Sequence, residues 1–183
     1  MHEIRFGNQK DIIFKIMMDK LEFYEKQCIL LETGIKRAAR GSEDVKLLMS
    51  IPGIDYYLAS LLSSYIGDVH RFESNDKLAA FFGIIPSMKD SSTINRRGHM
   101  SKEGAHTARW ALSVAVDTII LRNKPINEYY NSIKKRKGSG RFAHVSTMRK
   151  LTRMIYKMLT EKEEWKYQSP VLTEMKLSKL EEE

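Results

Sequence analysis

The chain has 183 residues, 42% hydrophobic and 30% charged, with 31 Lys and Arg against 23 Asp and Glu and a formal net charge of +8. Collagen-like, disulfide-stapled and wholly disordered classes are excluded, because Cys28 has no second cysteine to pair with and there is apolar mass enough for a core. There is no run of about 18 apolar residues to span a bilayer, and the charged start MHEIRFGNQK lacks the apolar centre of a secretion signal. The expectation is a cytoplasmic protein with no membrane partner, whose positive balance favours a polyanion.

From Asp11 to about Ala39, the residues Phe14, Met17, Leu21, Tyr24, Cys28, Leu31, Ile35 and Ala38 recur at alternating spacings of three and four. This heptad pattern predicts an amphipathic, coiled-coil-like helix that buries one stripe against a helix of its own chain or of a second copy. Ser42 with Glu43 and Asp44 then starts a second element. The stretch to Asp68 predicts two short helices around Pro52-Gly53, the second presenting Leu58, Leu61, Leu62 and Tyr65 on one face. Together they resemble a helix-hairpin-helix. A carboxylate at Asp55, where such hairpins carry a second glycine, opposes phosphate binding, so a structural role for the hairpin is favoured over a DNA-contacting one.

A helix is predicted from Asn75 or Asp76, ended by Gly83 and Pro86. Residues 87–104, SMKDSSTINRRGHMSKEG, are polar and basic and form a loop too long for a simple connection between packed helices, and long loops in compact domains tend to carry function. The apolar segment 105–123 is the expected central helix, stopped at Pro125. Two further helices follow, Asn127 to Gly140 and Ala143 to about Thr160, the second with Val145, Met148, Leu151, Ile155 and Met158 on one face. Between Tyr129 and Thr160 lie nine Lys and Arg and no acid. Such a run repels itself without a polyanion, so Lys134, Lys135, Arg136, Lys137, Arg141, Arg149, Lys150 and Arg153 are expected to bind nucleic acid, with Tyr129 and Tyr130 available for stacking. The chain reads as all-α: a coiled-coil-like helix over 1–41, a helical domain over 42–160, and a loosely held acidic tail over 161–183.

The five histidines and the single cysteine show no metal-ligand spacing, and no nucleotide-binding fingerprint occurs, so neither cofactor nor metal is expected in this chain. The loop stands apart. Ser91 and Ser92 lie between Lys89 and the group Arg96, Arg97, Lys102 and Arg109, and Gly98 and Gly104 permit close backbone approach. Guanidinium groups hold phosphate oxygens at fixed geometry. A serine attacks phosphorus only where something takes its proton and something else absorbs charge. With no clear proton acceptor in the chain, the residues alone read first as a phosphate-binding loop and second as a catalytic one.

The order IPGI, GDVHRFESNDKLAAFFGIIPSMKDSS and RRGHMSKEGAHTARWAL resembles the C-terminal, serine-bearing domain of transposases of the insertion-sequence-110 family, over about Leu47 to Leu159. In that family G-L-x-P precedes Q-S-G and then G-R-I-S-K-x-G-N-x-x-L-R. Gly83, Ile84 and Pro86 match the first element, Asp90-Ser91-Ser92 stands in place of the second, and Gly98, Ser101, Lys102, Gly104 and Arg109 match the third. The resemblance implies that Ser91 is the nucleophile that becomes joined to DNA, with Ser92 a second candidate hydroxyl. Asp90, Ser92, His99, Met100 and Ala105-His106 depart from the family pattern and alter charge and shape at the loop.

The resemblance further implies DNA cleavage and rejoining directed by a structured guide RNA, in homo-oligomers joined through the N-terminal helix. It also implies Mg2+ bound by four acidic residues of a RuvC-like domain N-terminal to this region, so that this chain alone is expected to be inactive. A non-catalytic helical module that binds DNA or a protein partner through the hairpin and heptad helix is the alternative from another class.

Overall fold

The computed structural model describes residues 8–89, 96–100, 104–167 and 169–181, with backbone alone for 8, 9, 86–89 and 96–100. It is all-α, apart from one short two-stranded ribbon. Helix α1 spans Asn8–Arg40, α2 Glu43–Met49, α3 Tyr56–Ile66 and α4 Asn75–Phe81. Strands β1 (Pro86–Lys89) and β2 (Arg96–Met100) follow, then α5 (His106–Arg122), α6 (Lys124–Lys137), α7 (Gly140–Glu161) and α8 (Pro170–Glu181).

Side-chain oxygens set most of these boundaries. Ser42 accepts from Val45 N–H at the start of α2, Asp55 from Leu58 N–H at α3, Ser74 from Lys77 N–H at α4 and Ser139 from Phe142 N–H at α7. Each satisfies a donor that the first helical turn leaves open. Asn123 serves twice: it ends α5, and its Oδ1 accepts from Ile126 N–H to open α6, with Pro125 in the first turn of the new helix. Pro125 therefore ends one helix and fits the next, because its missing N–H is one that the first turn does not use.

Helix α5 is the axis of the core, as its apolar sequence predicted. Ala108, Ala111, Leu112, Ala115, Val116 and Ile119 are buried on it, and α3, α6 and α7 pack around it. Its small residues admit neighbours closely. Gly53 of the α2–α3 turn has φ +88°, and a Cβ there would lie 2.6 Å from Cβ of Thr118. The hairpin glycine thus packs against α5. Asp55, in the place of a second glycine, is the cap of α3.

The two ends of the chain behave differently from each other. On α1 the stripe residues Met17, Leu21, Tyr24 and Leu31 are 52 to 67% exposed, and the helix first buries a side chain at Ala39. The acidic C-terminal stretch, expected to be loosely held, is packed instead. Trp165 is buried and its backbone N–H donates to Oγ of buried Ser50 at 2.9 Å, while Leu180 of α8 is fully buried. Arg40 Nε donates to the Leu180 carbonyl at 2.7 Å, and Lys162 pairs with Asp44 at 2.6 Å. Buried Trp165 and Leu180, partly buried Leu177 and these polar contacts together hold the segment on the core. No helix among the described residues is long and apolar enough to cross a membrane.

Candidate functional site

Two regions bear the residues singled out by sequence. The first is the ribbon that grows from the end of α4. Its strands pair antiparallel with Cα partners Pro86 and Met100, Met88 and Arg97, Lys89 and Arg96, and a register shift falls between Pro86 and Met88. Ser91, Ser92 and Lys102 lie outside the described residues.

The root of the ribbon is held through backbone. Ala105 N–H donates to the Phe81 carbonyl at 3.1 Å, and Arg109 Nη1 donates to the Phe82 carbonyl at 3.1 Å. Gly104 has φ +121°, and a Cβ built there would lie 2.3 Å from the Phe81 oxygen. Any other residue at 104 is strained by its backbone angle and clashes with a carbonyl that has nowhere to move. Phe81 itself is fixed by Phe72 and Phe82, with ring centroids at 5.4 and 5.6 Å, and by the Arg71 guanidinium 4.9 Å above its ring. Arg71 in turn donates to the carbonyls of Ile66 and Tyr65, both at 2.8 Å. The glycine and arginine that matched the third sequence element thus clamp the two ends of the loop onto α4. One arm of Arg109 is spent on this clamp, and the residue as a whole is half-exposed.

The second region is a groove of about 380 Å³ lined by Tyr129 of α6 and by Ser146, Arg149, Lys150, Arg153 and Met154 of α7. Lys150 Nζ lies 4.1 Å from the centroid of the Tyr129 ring, which positions the ammonium over an aromatic face. Arg149 reaches Asp76 at 3.9 Å, an exposed pair of small worth. The helix periodicity brings three of the predicted cations to this one face. Lys134, Lys135, Arg136 and Lys137 occupy the last turn of α6, where cations also complement the negative end of the helix, and Arg141 stands in the first turn of α7. Beyond the groove Lys157 is paired with Glu161 at 3.2 Å and Glu163 at 3.7 Å, which ends the positive strip.

Sequence reasoning missed one pairing. His144 Nε2 lies 3.0 Å from Asp117 Oδ1, tying α7 to α5. The two are 27 residues apart and carry no spacing signal. A second missed residue is Lys176 of α8, whose Nζ contacts three carbonyl oxygens of the α2–α3 turn. Burial pulls this ammonium down to about 8, with Asp55 opposing the shift and Arg122 adding to it. Among the described residues no three His, Cys, Asp or Glu side chains come together to hold a metal ion.

Residues 45–131 match the model of the Transposase IS116/IS110/IS902 family. Over this region, just under half of its length, the chain is similar to that family. The match runs from α2 into α6 and takes in the whole ribbon and its root, whereas the α7 side of the groove lies beyond it. Among curated proteins, the transposase for insertion sequence element IS1111A of Coxiella burnetii is 27% identical over 139 residues, covering 74% of this chain and 38% of that protein. A probable family 20 transposase of Pseudomonas aeruginosa is 27% identical over 92 residues, covering 50% of this chain and 27% of its own length. An uncharacterized protein of insertion element IS116 of Streptomyces clavuligerus is 25% identical over 131 residues, 70% of this chain and 32% of that one. The chain thus spans about a third of the length of the curated relatives it matches.

Proposed function

We propose that this chain is the serine-bearing C-terminal portion of a DNA transposase or site-specific recombinase acting in the cytoplasm, with Ser91 as the group that cuts and rejoins DNA. The observation that carries this reading is the family match over 45–131, a span that holds Gly83-Ile84-x-Pro86, then Ser91, then the Gly98 to Arg109 element. In the step proposed, Oγ of Ser91 attacks a phosphodiester phosphorus. The Oγ–P bond forms as the P–O3′ bond breaks, and the hydroxyl proton ends, net, on the departing 3′-oxygen. One phosphoester replaces another, so return attack by a 3′-hydroxyl rejoins a strand without an outside energy source.

Lys89, Arg96, Arg97, Lys102 and Arg109 are proposed to hold the phosphate and absorb charge as the serine attacks. The clamp at Gly104, Ala105 and Arg109 supports this role, since a rigid root limits where the loop tip can go. Lys134, Lys135, Arg136, Lys137, Arg141, Arg149, Lys150 and Arg153 are proposed to follow a nucleic-acid backbone along the groove, the guide RNA included. In the full-length protein the exposed stripe of α1 is proposed to join copies into a homo-oligomer, and magnesium to belong to an acidic RuvC-like domain. Binding of DNA and RNA should then weaken steeply as salt rises from low to physiological levels.

Covalent capture tests the catalytic part. Full-length protein is mixed with DNA bearing the element ends, denatured, and assayed for a protein–DNA adduct. The adduct is expected in wild type and in Ser92→Ala and is expected to vanish in Ser91→Ala. Loss in Ser92→Ala with survival in Ser91→Ala moves the nucleophile by one residue. Absence of any adduct from protein that binds the same DNA favours the non-catalytic binding module.

A further inference from the structure

The placement of the ribbon root rests on two carbonyl oxygens at the end of α4. That of Phe81 accepts from Ala105 N–H and lies where a Cβ at 104 would clash, and that of Phe82 accepts from Arg109 Nη1. Phe82 is fully buried, so core packing fixes it. Phe81 is only partly buried, and what holds it is a stack. Its ring centroid lies 5.4 Å from that of Phe72, and the Arg71 guanidinium lies 4.3 Å from the Phe72 centroid and 4.9 Å from that of Phe81. The edge of the same guanidinium is tied elsewhere: Nε donates to the Ile66 carbonyl and Nη2 to the Tyr65 carbonyl, both at 2.8 Å, at the negative end of α3. Phe72 is anchored in turn by its own carbonyl, which accepts from the Tyr156 hydroxyl of α7 at 3.0 Å. Arg71 therefore couples the end of α3 to the carbonyl from which the loop hangs.

We propose that Arg71 is a positioning residue for strand cleavage: by fixing Phe81 it fixes the root that aims the serine loop, and it does so without touching DNA. The inference rests on the reading of Ser91 as the nucleophile. Ser91 falls in sequence between the two strands whose ends this root holds, so its reach to phosphorus depends on the root. A guanidinium suits the task because it is planar, with faces for two rings and an edge for two carbonyls at once, whereas an ammonium offers neither the plane nor the fork. Both hydrogen bonds of Arg71 run back to α3, which separates its role from that of Arg96, Arg97 and Lys102, proposed to grip phosphate. Misplacing a reacting atom by about 1 Å costs on the order of 100-fold in rate. Affinity for DNA is spread over many backbone contacts and does not depend on one atom's aim. Loss of Arg71 is therefore expected in the rate of adduct formation and not in binding.

The test measures, for full-length protein on DNA bearing the element ends, the rate of Ser91 adduct formation at saturating DNA and, separately, the DNA concentration for half-saturation. Arg71→Lys keeps the charge and is expected to slow the rate by about 10-fold or more, with half-saturation within about twofold of wild type. Ser42→Ala, a cap lost at α2, controls for destabilisation alone and is expected to keep the wild-type rate. Arg71→Ala is expected to be slow as well and to regain rate in millimolar guanidinium chloride but not in equal sodium chloride. In this chain by itself, the Ala105 amide is expected to exchange with solvent faster in Arg71→Lys, while the amides of central α5 are unchanged. A Ser91 adduct formed equally fast by Arg71→Lys would overturn this proposal and leave the reading of Ser91 standing, as would unchanged exchange at Ala105 or an affinity that falls in step with the rate. Absence of any Ser91 adduct from wild type would instead remove the nucleophile, and this proposal with it. Should Arg71→Lys fail to fold by circular dichroism, Phe81→Leu, which removes the ring and spares the fork, is held to the same split between rate and affinity.

Discussion

The root of the ribbon and the α6–α7 groove are held by different physics. At the root, Gly104, Ala105 and Arg109 act on carbonyls of Phe81 and Phe82, so position is set by backbone sterics and hydrogen bonds within a few ångströms. In the groove Arg149, Lys150 and Arg153 stand on one face of a helix whose opposite face, Leu151, Thr152, Ile155 and Leu159, is buried. The groove side chains contribute little to the fold, and their charge acts over about a Debye length, roughly 8 Å at physiological salt. A part that must place one oxygen calls for the first kind of construction, and a part that must follow a polyanion of any sequence calls for the second.

The largest effect is expected where that contrast is sharpest. Gly104→Val should destabilise the chain by about 2–4 kcal/mol, since it combines a forbidden backbone angle with a clash on a fixed carbonyl. Thermal melting measures this, and retention of wild-type stability would mean the root is softer than described. The triple variant R149Q/K150Q/R153Q should leave stability within about 0.5 kcal/mol of wild type. It should nevertheless lower the slope of log affinity against log salt by about 2–3 on duplex DNA or RNA. An unchanged slope would remove the groove from the nucleic-acid interface.

A smaller effect concerns pH. Because burial holds Lys176 near 8 in the folded chain, below its value near 10.5 when unfolded, the folded state gives up this proton first. Between about pH 8 and 10.5 the unfolded chain binds more protons, and stability rises with pH by something on the order of 1 kcal/mol. Denaturant titrations across that window should show the rise in wild type and lose it in Lys176→Met. The smallest effect is expected at a cap: Ser74→Ala should cost about 1 kcal/mol through loss of the bond to Lys77 N–H at the start of α4, read as a shift in the urea midpoint.

Much of the helical frame was legible because caps and breakers are local chemistry. Ser42, Ser74, Ser139 and Asn123 mark helix starts by side chains that bond three residues ahead, and Pro125 and Gly138 punctuate α5 to α7. The groove was legible as a charge run, although only the packing of α6 against α7 shows that Tyr129 meets Lys150. The ribbon was not, since PSMK and RRGHM carry no alternation of apolar and polar residues, and their pairing follows from the clamped ends. Docking of α8 escaped for a related reason: Trp165, Lys176 and Leu180 find partners on α1 and α2 more than a hundred residues earlier, and no local pattern announces them. His144 and Asp117 met across α5 and α7 in the same way.

The most direct measurement is mass-spectrometric mapping of the denatured protein–DNA adduct after exhaustive nuclease and protease digestion. A nucleotide remnant on Ser91, bonded through its 5′-phosphate, is the predicted result. A remnant on any residue other than Ser91, or linkage through a 3′-phosphate, would contradict the assignment of strand cleavage to this serine.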